Sequence, residues 1–335
     1  MHGTLVNPPG RDRDFNYKLK VDHRSPPLAE LTPKQALLQQ IQAALSLYIL
    51  DTPSLTDRKS YIPLQLSKQR PVVYRCAIAF KLSKLVNSPT IEVAQSISQL
   101  IAQQNHQQNL ILQVVPPGWI YLELTQPSLA AWLQHWIETL PCLGSREQGT
   151  GSRGKKRAGG AEGAEGEIAC HQLPITNYQL PITNSLFPIQ YAHARCCSLL
   201  KMAHEEKIII IKSKNSDIKS SCLQVISPQP IPWLSEAKIC LHHPSELNLL
   251  LESIGVLDAL YCPDPTRSKS LNWLKVALNL SQAFQTFYSQ CRIWGEVKKQ
   301  NFNLAQGRLG LIAIAQSVFR ILLVEVLNSC APLEF

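Results

Sequence analysis

Apolar residues return at helical spacing soon after residue 30. Leu37, Ile41, Ala44, Leu45 and Tyr48 share one face of a helix opening at Thr32-Pro33, with proline at the first helical position, where its missing N–H is no loss. A second helix is expected over 76–86. A third has Ser88 as its cap, Pro89 at its first position, Glu92 beside its positive end, and a stripe of Ile91, Ala94, Ile97 and Ile101. The period then drops to two. Residues 110–115 and 119–124 read as strands joined by Pro116-Pro117-Gly118, and Ile120, Leu122 and Leu124 alternate with Trp119, Tyr121 and Glu123. A further helix carries Leu129, Trp132, Leu133, Trp136, Ile137 and Leu140 on one side, which places both tryptophans in a core. Residues 31–141 thus predict an α+β domain, preceded by a polar arm over 1–30.

The pattern breaks between 142 and 189. Residues 144–166 are rich in Gly, Ala, Ser and charge, and the heptapeptide beginning at Gln172 recurs from Gln179 with Ser185 in place of Tyr178. A proline in each copy and no periodic stripe predict a low-complexity linker. Helical spacing resumes at Tyr191. Helices are expected over 191–206, from Pro244, from about Ser270 to Arg292 and over 302–327, with 212–229 as a polar loop. Such amphipathic segments predict a mainly α antiparallel bundle for 190–335, with Phe284 and Phe287 in its core and His193 as a packing histidine.

Composition sharpens this picture. Of 335 residues, 45% are hydrophobic, which excludes a disordered chain, and 33 Lys plus Arg against 24 Asp plus Glu leave a formal charge of +9. That balance suits an anionic partner, although charged residues are only 17% in all, a thin supply for a nucleic-acid binder. The most apolar stretch, 309–327, is interrupted by Gln316, Ser317, Arg320 and Glu325, so no membrane span is expected. The opening residues lack an apolar signal core, and none of the ten cysteines forms a C-x-x-C pair. A cytoplasmic protein with reduced thiols and no metal site is the expectation; Cys240, His242, His243 and Cys262 lack the paired spacing of zinc ligands.

Five motifs in order give the helical part a likeness. Tyr191-Ala192-His193-Ala194-Arg195, His243-Pro244-Ser245-Glu246-Leu247, Phe284 to Ile293, Gly307-Arg308-Leu309-Gly310-Leu311 and Ala331-Pro332-Leu333-Glu334-Phe335 together resemble the DALR anticodon-binding domain of arginyl-tRNA synthetases. The first part resembles the additional N-terminal domain of the same enzymes, through 77–82, 88–94 and Pro117-Gly118-Trp119-Ile120. The resemblance implies a bundle of the class Ia anticodon-binding type and a tRNA partner, with arginine tRNA the member it points to. It also implies that the N-terminal domain contacts the tRNA elbow. Family enzymes carry a Rossmann-type catalytic core between these parts, with H-x-G-H and a K-M-S-K-S-like loop. Here only 142–189 lies there, and the nine histidines include no H-x-G-H pair. Lys81-Leu82-Ser83-Lys84 imitates the lysine signature inside the expected 76–86 helix, and Arg267-Ser268-Lys269-Ser270 imitates it in a loop; no strand–glycine loop–helix unit accompanies either.

The expected function is therefore tRNA binding without a catalytic core or cofactor of its own. Alternatives are a module docking on a synthetase or another cytosolic protein, and a decayed synthetase fragment. Arg195, Tyr288, Arg292 and Arg308 match family motif positions as candidate RNA contacts, since unpaired bases stack on aromatic and guanidinium planes while cations hold phosphates. Arg308 has a competing role as the ion-pair partner of an acidic neighbour such as Glu296. In the first domain Trp119 and Tyr121 point away from the Ile120 face and are the further candidates.

Overall fold

The computed structural model describes residues 31–50, 61–67, 72–105, 109–142, 183–213, 223–266 and 271–335. The arm over 1–30 and most of the expected linker lie outside these described residues.

The first helix, α1 (Pro33–Leu50), starts in a reciprocal cap. Gln35 Oε1 accepts from the N–H groups of Leu31 (2.8 Å) and Thr32 (3.1 Å), and Thr32 Oγ1 accepts from Gln35 N (3.3 Å). Leu37, Ile41, Ala44 and Leu45 are buried as the spacing requires. Two short strands that the spacing does not reveal follow, β1 (Leu64–Leu66) and β2 (Val73–Cys76). Cys76 therefore ends a strand instead of opening a helix, and α2 spans Ile78–Val86. Four residues are too short for a period of two to stand out from a helical stripe. Helix α3 (Thr90–Gln104) begins one residue later than expected. Pro89 holds the cap position in an extended conformation, and the Ser88 hydroxyl donates to Val86 O (3.4 Å) instead of capping α3. Val93 joins Ala94, Ile97 and Ile101 in the buried stripe, while Ile91 is half-buried.

The hairpin β3 (Leu110–Val115) and β4 (Trp119–Leu124) has the expected bounds, and an antiparallel sheet forms in the order β1-β2-β4-β3. Its turn needs Gly118. With φ at +150°, a β-carbon there would stand 3.0 Å from Thr90 O and clash with the Thr90 methyl. Tyr74, Cys76, Ile120 and Leu122 form the buried sheet face, α3 packs on the β3–β4 hairpin, and α4 (Gln126–Thr139) buries Leu129, Leu133, Trp136 and Ile137 in the same continuous core. Trp136 is fully buried and Trp132 is packed half-buried against it.

The helical part opens earlier than its first motif. Helix α5 (Thr183–Glu205) takes in the last residues of the expected linker and contains Pro188. That proline forfeits one backbone bond, yet Ile189, Ala192, Cys196 and Leu199 continue a buried stripe past it. The expected polar loop contains a hairpin, β5 (Ile210–Ser213) and β6 (Leu223–Ser227), anchored by buried Leu223 and Val225. A two-residue ladder, β7 (Leu234–Ser235) with β8 (Lys238–Ile239), leads to α6 (Pro244–Tyr261). His243 and Glu246 form the capping box of α6, with His243 N donating to Glu246 Oε2 at 2.7 Å. Helix α7 (Trp273–Gln290) is capped by Asn272, which accepts from Lys275 N (2.9 Å); the expected start at Ser270 lies outside the described residues.

After the short α8 (Glu296–Gln300), the central helix α9 (Phe302–Ile321) runs into a π turn over Leu322–Val326. This stretch is long and apolar enough to cross a membrane, but it is the core helix of the bundle, and every residue from 305 to 321 is buried. Gly310 lets the 231–240 segment cross it closely, since a β-carbon would meet Trp233 Cη2 at 2.5 Å.

The described residues from 31 onward make one compact unit with a continuous core. Polar contacts stitch its two parts together. Gln134 Oε1 accepts from Ile231 N (3.0 Å) and Trp233 Nε1 (3.2 Å), and Gln126 Oε1 accepts from Ile239 N (3.1 Å). Lys34 and Gln35 donate to the carbonyls of Cys262 (2.9 Å) and Tyr261 (3.0 Å) at the end of α6. Tyr74 donates to Asp258 Oδ2 (2.9 Å), and burial pushes that carboxyl up to about 6, against the opposing pull of the Tyr74 bond and the Lys34 charge.

Candidate nucleic-acid interface

Helix α5 carries Phe187, Tyr191 and Arg195 four residues apart, a spacing that stacks side chains along one side of a helix. The chain after α9 folds back along this helix. Gln190 Nε2 donates to Cys330 O (3.3 Å), a His193 ring nitrogen bonds Pro332 O (2.8 Å), and Lys201 pairs with Glu334 (2.6 Å). These contacts set the Phe335 ring 5.3 Å from that of Phe187 and 6.4 Å from that of Tyr191, which are themselves stacked at 6.1 Å. All three stay open to solvent, at 52% for Phe187, 43% for Tyr191 and 69% for Phe335. Clustered exposed aromatic rings of this kind mark interaction surfaces.

One turn further along α5, Arg195 reaches α7. Its guanidinium lies 4.8 Å over the Tyr288 ring and donates to the Tyr288 hydroxyl, while Tyr288 stacks on buried Phe284 at 6.3 Å and 15°. The structure therefore brings two of the sequence candidates, Arg195 and Tyr288, into direct contact. Arg292 is exposed just past the end of α7.

Arg308 is not available as an RNA contact. It is buried in α9, its Nε paired with Glu246 Oε1 at 2.6 Å and its Nη1 donating to Arg292 O, so the acidic partner is Glu246 and not Glu296. Trp119 and Tyr121 are both half-buried on the other part of the chain. Trp119 packs edge-on against Phe80 (5.1 Å) beneath the Arg75 guanidinium (5.7 Å). Tyr121 stands in the row Gln65, Arg75, Tyr121, Gln113 across the sheet. Sequence reasoning missed Phe187, Tyr191 and Phe335 as one surface. The four-residue spacing on α5 was legible, but the return of the tail was not. The imitation lysine signature lies on α2, where Leu82 and Ser83 are buried and Lys81 Nζ donates to Tyr61 O (3.0 Å).

His193 is a structural clamp for the tail. Its Nδ1 must donate to Pro332 O, which leaves Nε2 to accept from the Gln316 amide (2.9 Å). Burial pulls its pKa down to about 4. His193 and Asp258 then oppose each other with pH. An unfolded chain protonates His193 near its ordinary value of 6.5, so folding gains from this residue as pH rises from 4 to 6.5. Asp258 takes up its proton in the folded state near 6, against 3.8 ordinarily, so folding gains from it as pH falls through the same range. Wild-type stability should change little between pH 7 and 4. Asp258→Asn removes one side of the balance and should lose roughly 3 kcal/mol over that interval. Urea unfolding at a series of pH values checks this, and a flat profile for the variant would contradict it.

Residues 189–328 match the DALR anticodon binding domain family, and Arg195 and Tyr288 both lie within that match. Over those residues the chain is similar to a DALR anticodon binding domain, and part of it is similar to an arginine–tRNA ligase. In particular, 144 residues are 27% identical to the arginine–tRNA ligase of Synechococcus sp. (strain JA-3-3Ab), a match covering 43% of this chain and 21% of that relative. The chain thus spans about a fifth of the relative's length. No solved structure matches it.

Proposed function

We propose that this protein is a cytosolic tRNA-binding protein that grips unpaired RNA through its DALR domain and does not aminoacylate by itself. The observation that carries the reading is the cluster of exposed rings Phe187, Tyr191 and Phe335 beside half-buried Arg195, gathered along the helix that opens an anticodon-binding domain match. Rings and a guanidinium plane at the surface are what splayed-out bases stack on. Two further facts support the non-catalytic part. Only 143–182 separates the α+β part from α5, and neither an H-x-G-H pair nor a K-M-S-K-S run occurs in the sequence. Arginine tRNA is the ligand that the likeness to an arginine–tRNA ligase favours.

The test uses the full chain with labelled arginine tRNA and an unrelated tRNA, titrated at low and moderate salt. Binding should weaken with salt as counterions return to the phosphates. The double variant Phe187→Ala/Tyr191→Ala should lose about 10- to 100-fold in affinity, the worth of one or two stacked bases. Purified protein given ATP and arginine should show no pyrophosphate exchange. Exchange would overturn the non-catalytic reading. Undetectable tRNA binding, or binding indifferent to the double variant, would move the cluster to the second reading, a docking face for another protein. The pairing of Lys201 with Glu334 favours that second reading, because it ties up a cation beside the rings.

A further inference from the structure

We propose that two copies of this chain pair edge to edge through β3, antiparallel and about a two-fold axis at Gln113. Strand β3 is an outer strand of its sheet, at the opposite edge from β1. Thr125 N donates to Asn109 O (3.0 Å), and the register then sets Ile111 against Glu123, Gln113 against Tyr121 and Val115 against Trp119. Antiparallel bonding alternates along a strand. These odd-numbered residues therefore direct their backbone groups to β4, and Leu112 and Val114 turn theirs outward. Among the described residues no hydrogen bond reaches those outward groups.

Natural sheets guard such an edge with charges, a proline or a bulge. Strand β3 has none of these. Its six residues are Leu-Ile-Leu-Gln-Val-Val, its register against β4 is unbroken, and residues 93–122 contain no Asp, Glu, Lys or Arg. In a chain with a formal charge of +9, this stretch is where two copies can approach without like charges meeting. Ile111 and Gln113 are exposed, and Leu112 and Val114 are only half-buried although their β4 neighbours Leu122 and Ile120 are wholly enclosed.

The strand complements itself about that axis. Leu112 would exchange both backbone bonds with Val114 of the second copy, and Ile111 would face Val115. Gln113 would face its own copy at the closer, non-bonded spacing, where two side-chain amides can bond each other. The end of the ladder also matches. Opposite Leu110 would stand Pro116, which has no N–H, and the Leu110 carbonyl that would have received one already accepts from Asn105 Nδ2 (3.1 Å). The occupant of this edge is thus a second β3.

Sedimentation equilibrium of the full chain from about 1 µM to about 1 mM spans the affinities of a small interface. Wild type should pass from 37.5 kDa toward twice that mass. Gln113→Lys and Gln113→Glu, at an exposed position, set like charges against each other and should each weaken the dimer by about 10- to 100-fold. An equimolar mixture of the two should pair again, because opposite charges then meet on the axis. Hydrogen exchange of wild type needs no variant, and the peptide covering 110–115 should exchange more slowly as concentration rises. A wild type that keeps the mass of one chain, single variants that dimerise like wild type, a mixture that stays monomeric, or exchange at 110–115 that ignores concentration would each overturn the proposal.

Discussion

Glu246→Ala should destabilise the protein by about 3–5 kcal/mol, the cost of leaving a buried charge without its partner. The carboxylate is almost wholly enclosed and does two jobs, accepting from His243 N to cap α6 and pairing with Arg308 Nε across to α9. Its removal strands the Arg308 guanidinium among buried residues with only the Arg292 carbonyl as an acceptor. The measurement is equilibrium urea unfolding followed by circular dichroism. The pair is not expected to be a large net source of stability, since desolvating two charges offsets most of their attraction. Glu246→Leu combined with Arg308→Met should therefore recover much of the loss. A single variant within about 1 kcal/mol of wild type would show that water reaches the arginine in solution.

Trp136→Ala should cost a similar amount, about 3–5 kcal/mol, through lost burial and the cavity left behind. Trp136 has no exposed surface and lies tilted against Trp132, and its indole N–H donates to Leu31 O (2.9 Å) just before α1. The side chain thus joins α4 to the start of α1, whose next residues cap the end of α6. Loosening it should be felt in both parts of the chain. Calorimetry of the variant should show one cooperative transition at lower temperature. Two separated transitions, with the helical part unmoved, would mean that the two parts fold independently despite their shared core. Trp136→Phe, which keeps a ring and loses the N–H bond, should fall between the variant and wild type.

Much of the fold was legible along the chain. The 110–124 hairpin could be read to the residue, because alternation is a property of neighbours and Pro116-Pro117-Gly118 marks the reversal. Trp132, Trp136, Phe284 and Phe287 fell on helical stripes and all pack inward to some degree. Strands β1, β2, β5 and β6 escaped notice, since three to five residues carry too little periodicity to stand out from a helical stripe. The start of α5 was hidden for a related reason. Pro188 reads locally as a stop, and only burial of the residues beyond it against other helices keeps the helix going.

The candidate interface divides in the same way. Motif order announced a DALR domain and singled out Arg195 and Tyr288, as short-range patterns can. The fate of each arginine was settled elsewhere. Arg308 meets a carboxylate 62 residues away and disappears into the core, while Arg195 crosses to a ring 93 residues on and stays at the surface. Phe335 becomes part of an aromatic cluster only because His193, Gln190 and Lys201 hold the tail against α5. Local periodicity reports backbone conformation and which side of an element is apolar. Whether a charge is buried or presented depends on what packs against it, and that is a property of the assembled molecule alone.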